Sequence, residues 1–575
     1  MAKGYRPVRR DQPFLFRPDM REWLAGDHPV WLVIAAVERM DTSAFHACRR
    51  TGGAGTAGYD PDMLVTVLVW AYARGVASSR RMGSLCGTDV AFRVIGGGNL
   101  PDHSTIARFR HDFADPVTVL FGEVLILCAR LGMGKLGTVA LDGSKVRANA
   151  SKSANRTEEG LARLAAERVA AHAETDAAED ALFGDARGDE VPAEAADPFT
   201  RDERIDAALA SARAERARRE RQREEQQEEQ AAKAAQYLAA ARAGTPRAGN
   251  PPAGTAVALA EAKVAREMAA RQAKCQEWER RAAAAGKKPG GRGRPVPAEQ
   301  YCRVRKAQAK LAAARVREAE AARKAAQAAA RDAVIVRNIT GPGSRLMATR
   351  NGKQQCYNPQ QVVSEDLLVI ATELTDDPTD MAWFELMMAP AEEAAALIRA
   401  HQPPPAVQAP DGRSAAEDPA GQQHGSGIGL ALADAGYLSR HNLTCPGPDR
   451  LIATGKRRDL EQAARDTPAA SQDTGQAGDA DDPIAAMAAR LATDDGISAC
   501  RQRGHIAETP HGDIKHNMRF DQLSLRGKRK AAAEWKFACA VRNLRTAISS
   551  GHLTRRALDA LDARDRETSQ AAGTA

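Results

Sequence analysis

The stretch VALDGSKVRANAS, residues 139–151, places a single acid, Asp142, at the end of a short apolar run. Asp-Gly is a common turn pair, so the simplest interpretation is a strand that ends in a turn. A second apolar run, LALAD at residues 430–434, also ends on an acid, Asp434. If the two strands pair in one sheet, their carboxylates come close enough to bridge metal ions. Hard divalent cations such as Mg²⁺ prefer oxygen ligands, and two of them can clamp the attacking and leaving oxygens of a phosphoryl transfer.

A third acid would complete such a site, and Glu508 opens the C-terminal helical segment, ETPHGDIKHNMRF. Its surroundings are basic and include Arg503 and Lys515, while Lys145 follows Asp142. Spacing alone does not select this triple, because the chain contains 74 acids.

Other polar residues have simpler interpretations. Asp380 precedes the helical pattern of TDMAWF and is predicted to be its N-cap. Glu534 is expected to be structural, and is the reserve third acid if Glu508 fails. The remaining candidates are predicted to be turn residues, loop residues or caps: Glu365, Asp366, His103 and His511.

The composition favours an anionic partner and a reducing compartment. The chain has 575 residues, a formal net charge of +8 and a pI near 9.0. Its nine cysteines are scattered, so they suggest neither a zinc ribbon nor a disulfide framework. The first residues contain no apolar signal-peptide region, and the run at 63–73 is shorter than the roughly 20 residues of a membrane span. We expect a soluble cytoplasmic protein.

Composition changes along the chain predict its organisation. Residues 155–333 are rich in Ala, Arg, Glu and Gln, which is typical of long solvated helices or a coiled-coil hairpin. The predicted division is 1–130, a helical and DNA-binding domain; 131–154, the first strands of a core; 155–333, a charged helical insertion; 334–548, the remaining core, with a flexible loop region at 459–497; and 549–575, a frayed tail.

Arginines lie on or beside the predicted helices of residues 1–130. Arg80 and Arg108, with Arg81 and Arg110, could contact DNA phosphates. The alternative is that they simply lie on solvated helix faces.

Several motifs resemble those of one family. They are YDPDMLVTVLVWAYARGVASSRR with PDHSTIARFR, LDGSKVRANAS, SRLMATRNGKQQCYNPQQVVSEDLLVIATELTDDPTD, DAGYLS, and ETPHGDIKHNMRF with RGKRKAAAEWKFACAVRNL. Together the chain resembles the DDE transposases of bacterial insertion sequences, in the group with an InsH-like N-terminal helical domain.

The resemblance implies an α/β fold with a ribonuclease H-like mixed-sheet core, interrupted by the helical insertion. It implies that Asp142, Asp434 and Glu508 bind Mg²⁺, with Mn²⁺ as a possible substitute. Lys515, seven residues after Glu508, would lie on the same helix face and contact DNA, as could Arg503.

The implied activity is cleavage at the inverted-repeat ends of an insertion sequence, followed by attack of the freed 3′-OH on target DNA. The partners would be double-stranded DNA, as terminal repeats and as target, and a second copy of the chain in a homodimer associated with the bacterial nucleoid. Two alternatives remain open, a nuclease on the same fold that cuts without joining, and a decayed, catalytically inert DNA-binding or scaffold protein.

Overall fold

The computed structural model describes residues 19–47, 58–167, 201–245, 251–286, 294–403, 427–455 and 482–573. It divides into two compact units. The first unit comprises residues 1–154 and 340–575, and the second comprises residues 155–339.

A mixed sheet forms the centre of the first unit. Its strands are β1 (Thr138–Gly143), β2 (Val146–Arg147), β5 (Arg345–Thr349), β6 (Gly352–Ser364), β7 (Val369–Thr375), β8 (Leu430–Ala433) and β9 (Asp449–Ile452). The order through its centre is β7-β6-β1-β8-β9. Strand β6 is antiparallel to both β1 and β7, whereas β8 and β9 run parallel to β1. The first half of β6 pairs with β5 and β2.

Burial explains why two of these strands are continuous apolar runs. Strand β1 buries Val139, Ala140 and Leu141 completely. In β8, the exposed fraction of Ala431 and Leu432 is at most 1 %. Central parallel strands are covered on both faces, so they do not alternate apolar and polar residues. Polar side chains reach solvent at the ends of these strands, and Asp142 and Asp434 lie there.

Thirteen helices of the first unit are described. They are α1 (Val30–Val37), α2 (Ser43–Ala47), α3 (Pro61–Ala73), α4 (Ser79–Thr88), α5 (Val90–Gly96), α6 (His103–Asp112), α7 (Pro116–Arg130), α11 (Trp383–His401), α12 (Arg440–Thr444), α13 (Pro483–Leu491), α14 (Asp494–Gly512), α15 (Lys528–Ser549) and α16 (Arg555–Gly573). In the described ranges of the whole chain, no helix combines the length and apolar character needed to cross a membrane.

The N-terminal helices share one hydrophobic core with the sheet. Helices α3 and α7 pack against α15, which in turn packs against β7. The ring of Tyr72 on α3 meets that of Phe537 on α15 edge to face, with centroids 5.0 Å apart. The described N-terminal helices therefore belong to the same compact unit as the sheet, because the C-terminal helix α15 covers their apolar faces.

The second unit is built from long helices. Residues 158–167 are helical, and the other helices are α8 (Arg201–Ala243), α9 (Ala256–Ala284) and α10 (Cys302–Asp332). Strands β3 (Asn155–Thr157) and β4 (Val336–Asn338) pair antiparallel at its base. Helices α9 and α10 pack along each other. The unit spans residues 155–339, compared with the predicted insertion at 155–333.

Helices lie in the described parts of two regions, 459–497 and 549–575, that the sequence predicted to be a loop region and a frayed tail. Within 459–497, residues 459–481 lie outside the described residues, whereas α13 and the start of α14 occupy 483–491 and 494–497. The predicted frayed tail forms α16, where Leu558 and Leu561 are buried. The tail prediction was wrong because tertiary contacts determine its structure: Arg39 pairs with Asp562 at 2.5 Å, and Arg130 pairs with Asp565 at 2.5 Å.

Candidate metal centre

The strand register places two acids side by side. Leu141 of β1 pairs with Ala433 of β8 in the parallel ladder, so Asp142 and Asp434 follow at the same edge of neighbouring strands. Neighbouring strands lie about 4.8 Å apart, which brings the two carboxylates close together. Each is half-buried and accepts a hydrogen bond from a nearby backbone, Asp142 from Gly143 N at 2.9 Å and Asp434 from Gly436 N at 2.8 Å.

The electrostatic environment of Asp142 differs from that of an ordinary surface acid. Burial, followed by the neighbouring Asp434 charge, raises the pKa of Asp142 to about 7. The Arg503 guanidinium and the Gly143 N–H act in the opposite direction, while Asp380 raises the pKa further. A carboxylate whose ionisation is opposed by a neighbouring negative charge, as that of Asp142 is, is suited to binding a cation, which relieves the repulsion.

Asp380 is a third acid beside this pair, and it is not the predicted N-cap. Helix α11 begins at Trp383, and only the backbone oxygen of Asp380 accepts a hydrogen bond from the Trp383 N–H, at 2.9 Å. The Asp380 carboxylate instead accepts hydrogen bonds at Oδ1 from Asn358 Nδ2 and Gln360 Nε2, each at 2.8 Å. Because both donors are buried residues of β6, they fix the orientation of the acid.

A buried tyrosine supports this arrangement. The Tyr437 hydroxyl donates to Gln360 Oε1, which leaves the Gln360 Nε2 group to face Asp380. Burial raises the pKa of Tyr437 above its ordinary range, and the charges of Asp380, Asp142 and Asp434 raise it further. Tyr437 therefore remains neutral, and its hydroxyl donates to Gln360, which in turn holds Asp380.

Two glycines leave space between the acids. A Cβ on Gly436 would lie 2.9 Å from Asp434 Oδ1 and 3.4 Å from Asp380 Oδ2. A Cβ on Gly143 would lie 2.5 Å from Asp380 Oδ1 and would overlap Gln360 Nε2. The space that these glycines preserve is lined by carboxylate oxygens, which is the donor set that Mg²⁺ and Mn²⁺ favour. The residues present therefore fit a hard divalent cation.

Glu508 is less well placed than the two aspartates. It lies on α14, and its side chain is exposed. Among the described residues, only His46, Asp60 and Asp62 have ligand atoms that all lie within 4.8 Å of one another. Asp142 and Asp434 therefore do not form such a group with Glu508, nor do they form one with Asp380. The His46 group lies at the surface in another part of the unit and involves none of the predicted site residues.

Helix α14 nevertheless packs against the end of β1. His511 is buried, and its Nε2 donates to the backbone oxygen of Asp142 at 3.3 Å. Burial lowers the pKa of His511 to about 3, so the ring is neutral and acts as a hydrogen-bond donor. The prediction of a loop or cap residue was wrong for His511; His103 is the exposed first residue of α6.

Lys515 is tied to the turn that follows Asp142. Its Nζ donates to Ser144 Oγ and, at 2.9 Å, to the backbone oxygen of Lys145. Burial lowers the pKa of Lys515. The lysine lies in a π-helical turn, Asp513–Asn517, that continues α14. The seven residues from Glu508 to Lys515 therefore do not make two regular α-helical turns, on which the prediction of a shared helix face depended. Lys145 itself is exposed.

The remaining predicted cations divide into exposed and buried ones. Arg80 on α4 and Arg108 on α6 are exposed, as a phosphate contact requires. Arg110 is buried and cannot contact DNA, because its Nη2 pairs with Glu534 at 2.6 Å.

Glu534 is occupied by structural contacts. Its oxygens also accept hydrogen bonds from the Tyr72 hydroxyl at 3.0 Å and from the backbone N–H groups of Ser524 and Leu525 at 2.8 and 2.9 Å. A fully buried carboxylate with this many donors is not available as the reserve third acid. Glu365 and Asp366 form the turn between β6 and β7.

Strand direction is the signal that could have identified Asp380 from the sequence. Strand β7 is antiparallel to β6, and β6 is antiparallel to β1, so β7 ends at the same edge as β1 and β8. The segment TDDPTD that follows β7 therefore brings acids to that edge. The sequence shows the run of acids but not the direction of the strand before it.

Two family models match the chain. The first, described as Transposase domain (DUF772), matches residues 18–112, and the second, described as Transposase DDE domain, matches residues 475–548. Searches of curated proteins and of solved structures return no match. The two matched ranges are similar to transposase domains, and together they support an insertion-sequence DDE transposase. This family comprises metal-dependent polynucleotidyl transferases that act on DNA. Glu508 and Lys515 lie inside the second matched range, whereas Asp142 and Asp434 lie outside both.

Proposed function

We propose that this transposase cleaves DNA at the inverted-repeat ends of its element and joins the freed 3′ ends to target DNA, using Mg²⁺ or Mn²⁺ bound at the acid cluster. The observation that carries the proposal is the parallel register that sets Asp142 beside Asp434. A mixed sheet with helices packed against it supports the ribonuclease H-like core that the family resemblance implies.

Asp142 and Asp434 are the proposed principal metal ligands. Asp380, with Oδ2 directed towards the Gly436 gap, adds a third carboxylate, and Glu508 completes the set after rotation of its exposed side chain. When bound, divalent cations activate the attacking oxygen and stabilise the leaving oxygen of a phosphoryl transfer. The protein supplies rigid positioning, because β1, β8 and the Asn358–Gln360 pair hold the carboxylates in place.

Cations around the cluster are proposed to bind the DNA backbone. Arg503, whose charge already acts on Asp142, and Lys515 would contact phosphates next to the metals. Lys145, Arg80 and Arg108 are exposed and would contact phosphates farther away. Pairing of two element ends would require a homodimer, and the protein would act on the nucleoid in the cytoplasm.

An assay that separates cutting from joining tests this function. Purified full chain is incubated with a labelled duplex carrying the ends that flank its own gene, with supercoiled plasmid as target, and with Mg²⁺ or Mn²⁺. We expect cleaved and joined products from the wild type, none from Asp142→Asn, and normal amounts from Asp27→Asn, which removes an exposed acid elsewhere.

The other outcomes identify the two alternatives. Cleavage without joined products would indicate a nuclease. Duplex binding that ignores divalent metal, with no cleavage by any variant, would indicate an inert DNA-binding protein.

A further inference from the structure

Helix α10 of the second unit carries a line of exposed cations. Arg303, Lys310, Arg317 and Lys324 follow one another at intervals of seven residues, and Lys306 lies three residues after Arg303. At about 100° per residue, these five fall within about 60° around the helix axis. We call this line the basic stripe.

The stripe is separate from the face by which α10 packs on α9. That face contains the buried Val304 and Ala307. It also contains Glu318, whose carboxylate accepts a hydrogen bond from Val257 N of α9 at 3.0 Å. Arg315, on the other side of this packing face from the stripe, pairs with Glu261 of α9 at 2.9 Å. The packing of the hairpin therefore does not explain the cations of the stripe.

The stripe also lacks acidic partners. Within the described ranges, none of its five cations makes an ion pair, whereas other arginines of the unit do. Helix α10 contains nine basic residues (Lys and Arg) and three acidic ones. Helix α8, in contrast, contains ten basic and nine acidic residues. A helix face that only needs to be soluble carries mixed charges, as α8 does. A line of positive charges that no acid neutralises keeps a positive electrostatic potential, which favours binding of an extended anion.

The dimensions of the stripe favour duplex DNA. The 21 residue-to-residue steps from Arg303 to Lys324 rise about 1.5 Å each and span about 30 Å, close to the length of one duplex turn of about 34 Å. Between the cations the stripe contains alanines and no aromatic ring. Single-stranded nucleic acid is usually bound with aromatic side chains on which bases stack.

We infer that the basic stripe binds the phosphate backbone of duplex DNA without reading its sequence. The inference shares with the proposed function only the DNA partner, and it involves none of the acids. It assigns the inserted unit a direct role in holding DNA.

Salt dependence distinguishes this inference from a merely solvated helix face. Each phosphate neutralised adds about 0.9 to the slope of log affinity against log salt concentration. Loss of two stripe cations should therefore reduce that slope by about 2, and loss of all five by about 4 to 5.

The test compares two double variants of the full chain that differ only in the helix face they change. Arg303→Gln/Arg317→Gln removes two arginines of the stripe, and Arg305→Gln/Arg323→Gln removes two exposed arginines of the same helix outside it. Binding to a labelled duplex of arbitrary sequence, about 40 base pairs long, is followed by fluorescence anisotropy with EDTA present, between about 50 and 200 mM salt. Circular dichroism checks that both variants retain the helix, as expected for glutamine.

We expect the stripe variant to lose about 2 in slope and the control variant to behave as the wild type. Equal slopes for the two variants, with wild-type DNA binding intact, would overturn the inference and leave the proposed function standing. A loss seen with duplex RNA or an acidic polypeptide but not with duplex DNA would also overturn it. If the wild type bound no duplex at all, both this inference and the proposed function would fail.

Discussion

Metal binding at the acid cluster should strengthen as the pH rises from 6 to 8. A carboxylate must lose its proton to bind a cation, and the pKa of Asp142 is about 7. With this pKa, about one molecule in eleven has Asp142 ionised at pH 6, and about ten in eleven at pH 8. The apparent affinity for Mn²⁺ should therefore rise about tenfold, or about 1.4 kcal/mol, over this range.

Arg503→Gln tests the cause of this pH dependence. Because the Arg503 charge lowers the pKa of Asp142, its removal should move the midpoint of the pH profile upward. Free Mn²⁺ is measured by electron paramagnetic resonance during titration of the full chain at each pH. Asp142→Asn is the control and should bind weakly with little dependence on pH. A flat wild-type profile between pH 6 and 8, or a midpoint that falls in Arg503→Gln, would refute the assigned electrostatics.

Two further predictions concern stability. Glu534→Gln leaves a buried arginine without its counter-charge and should cost about 3–5 kcal/mol of unfolding free energy in urea denaturation. Arg110→Met/Glu534→Gln should recover much of it, because it removes the unpaired charge and keeps an amide oxygen for the Ser524 and Leu525 N–H groups; equal losses in both would contradict this electrostatic cause. Gly143→Ala should lower stability by about 1–3 kcal/mol and weaken Mn²⁺ binding, because its Cβ would be 2.5 Å from Asp380 Oδ1. Its control, Gly87→Ala in α4, meets no atom within 4 Å and should not destabilise the chain.

Local patterns were sufficient for part of the structure. The apolar runs before Asp142 and Asp434 predicted two buried strands that end on acids, because central strands need apolar residues on both faces. The alanine-rich helices of the second unit follow from intrinsic propensity, which acts without tertiary contacts.

Features that depend on distant partners were missed. Asp380 has the composition of an N-cap, and its actual role depends on Asn358 and Gln360 of another strand. The change from α-helix to π-helix before Lys515 cannot be predicted from residue spacing, which assumes a regular helix. Pro510, which lacks a backbone N–H, precedes the change. Helix α16 looks polar in sequence, but Leu558 and Leu561 are buried in the hydrophobic core of the unit, and its acids pair with Arg39 and Arg130.

The central claim is that Asp142 and Asp434 hold the metal that cleaves DNA. Its most direct test is mobilisation in cells of a marked element that carries this gene's own flanking ends, with wild type, Asp142→Asn or Asp434→Asn supplied in trans at equal protein levels. We expect movement of the marker with the wild type and none with either variant. Movement at the wild-type rate with either variant would contradict the claim.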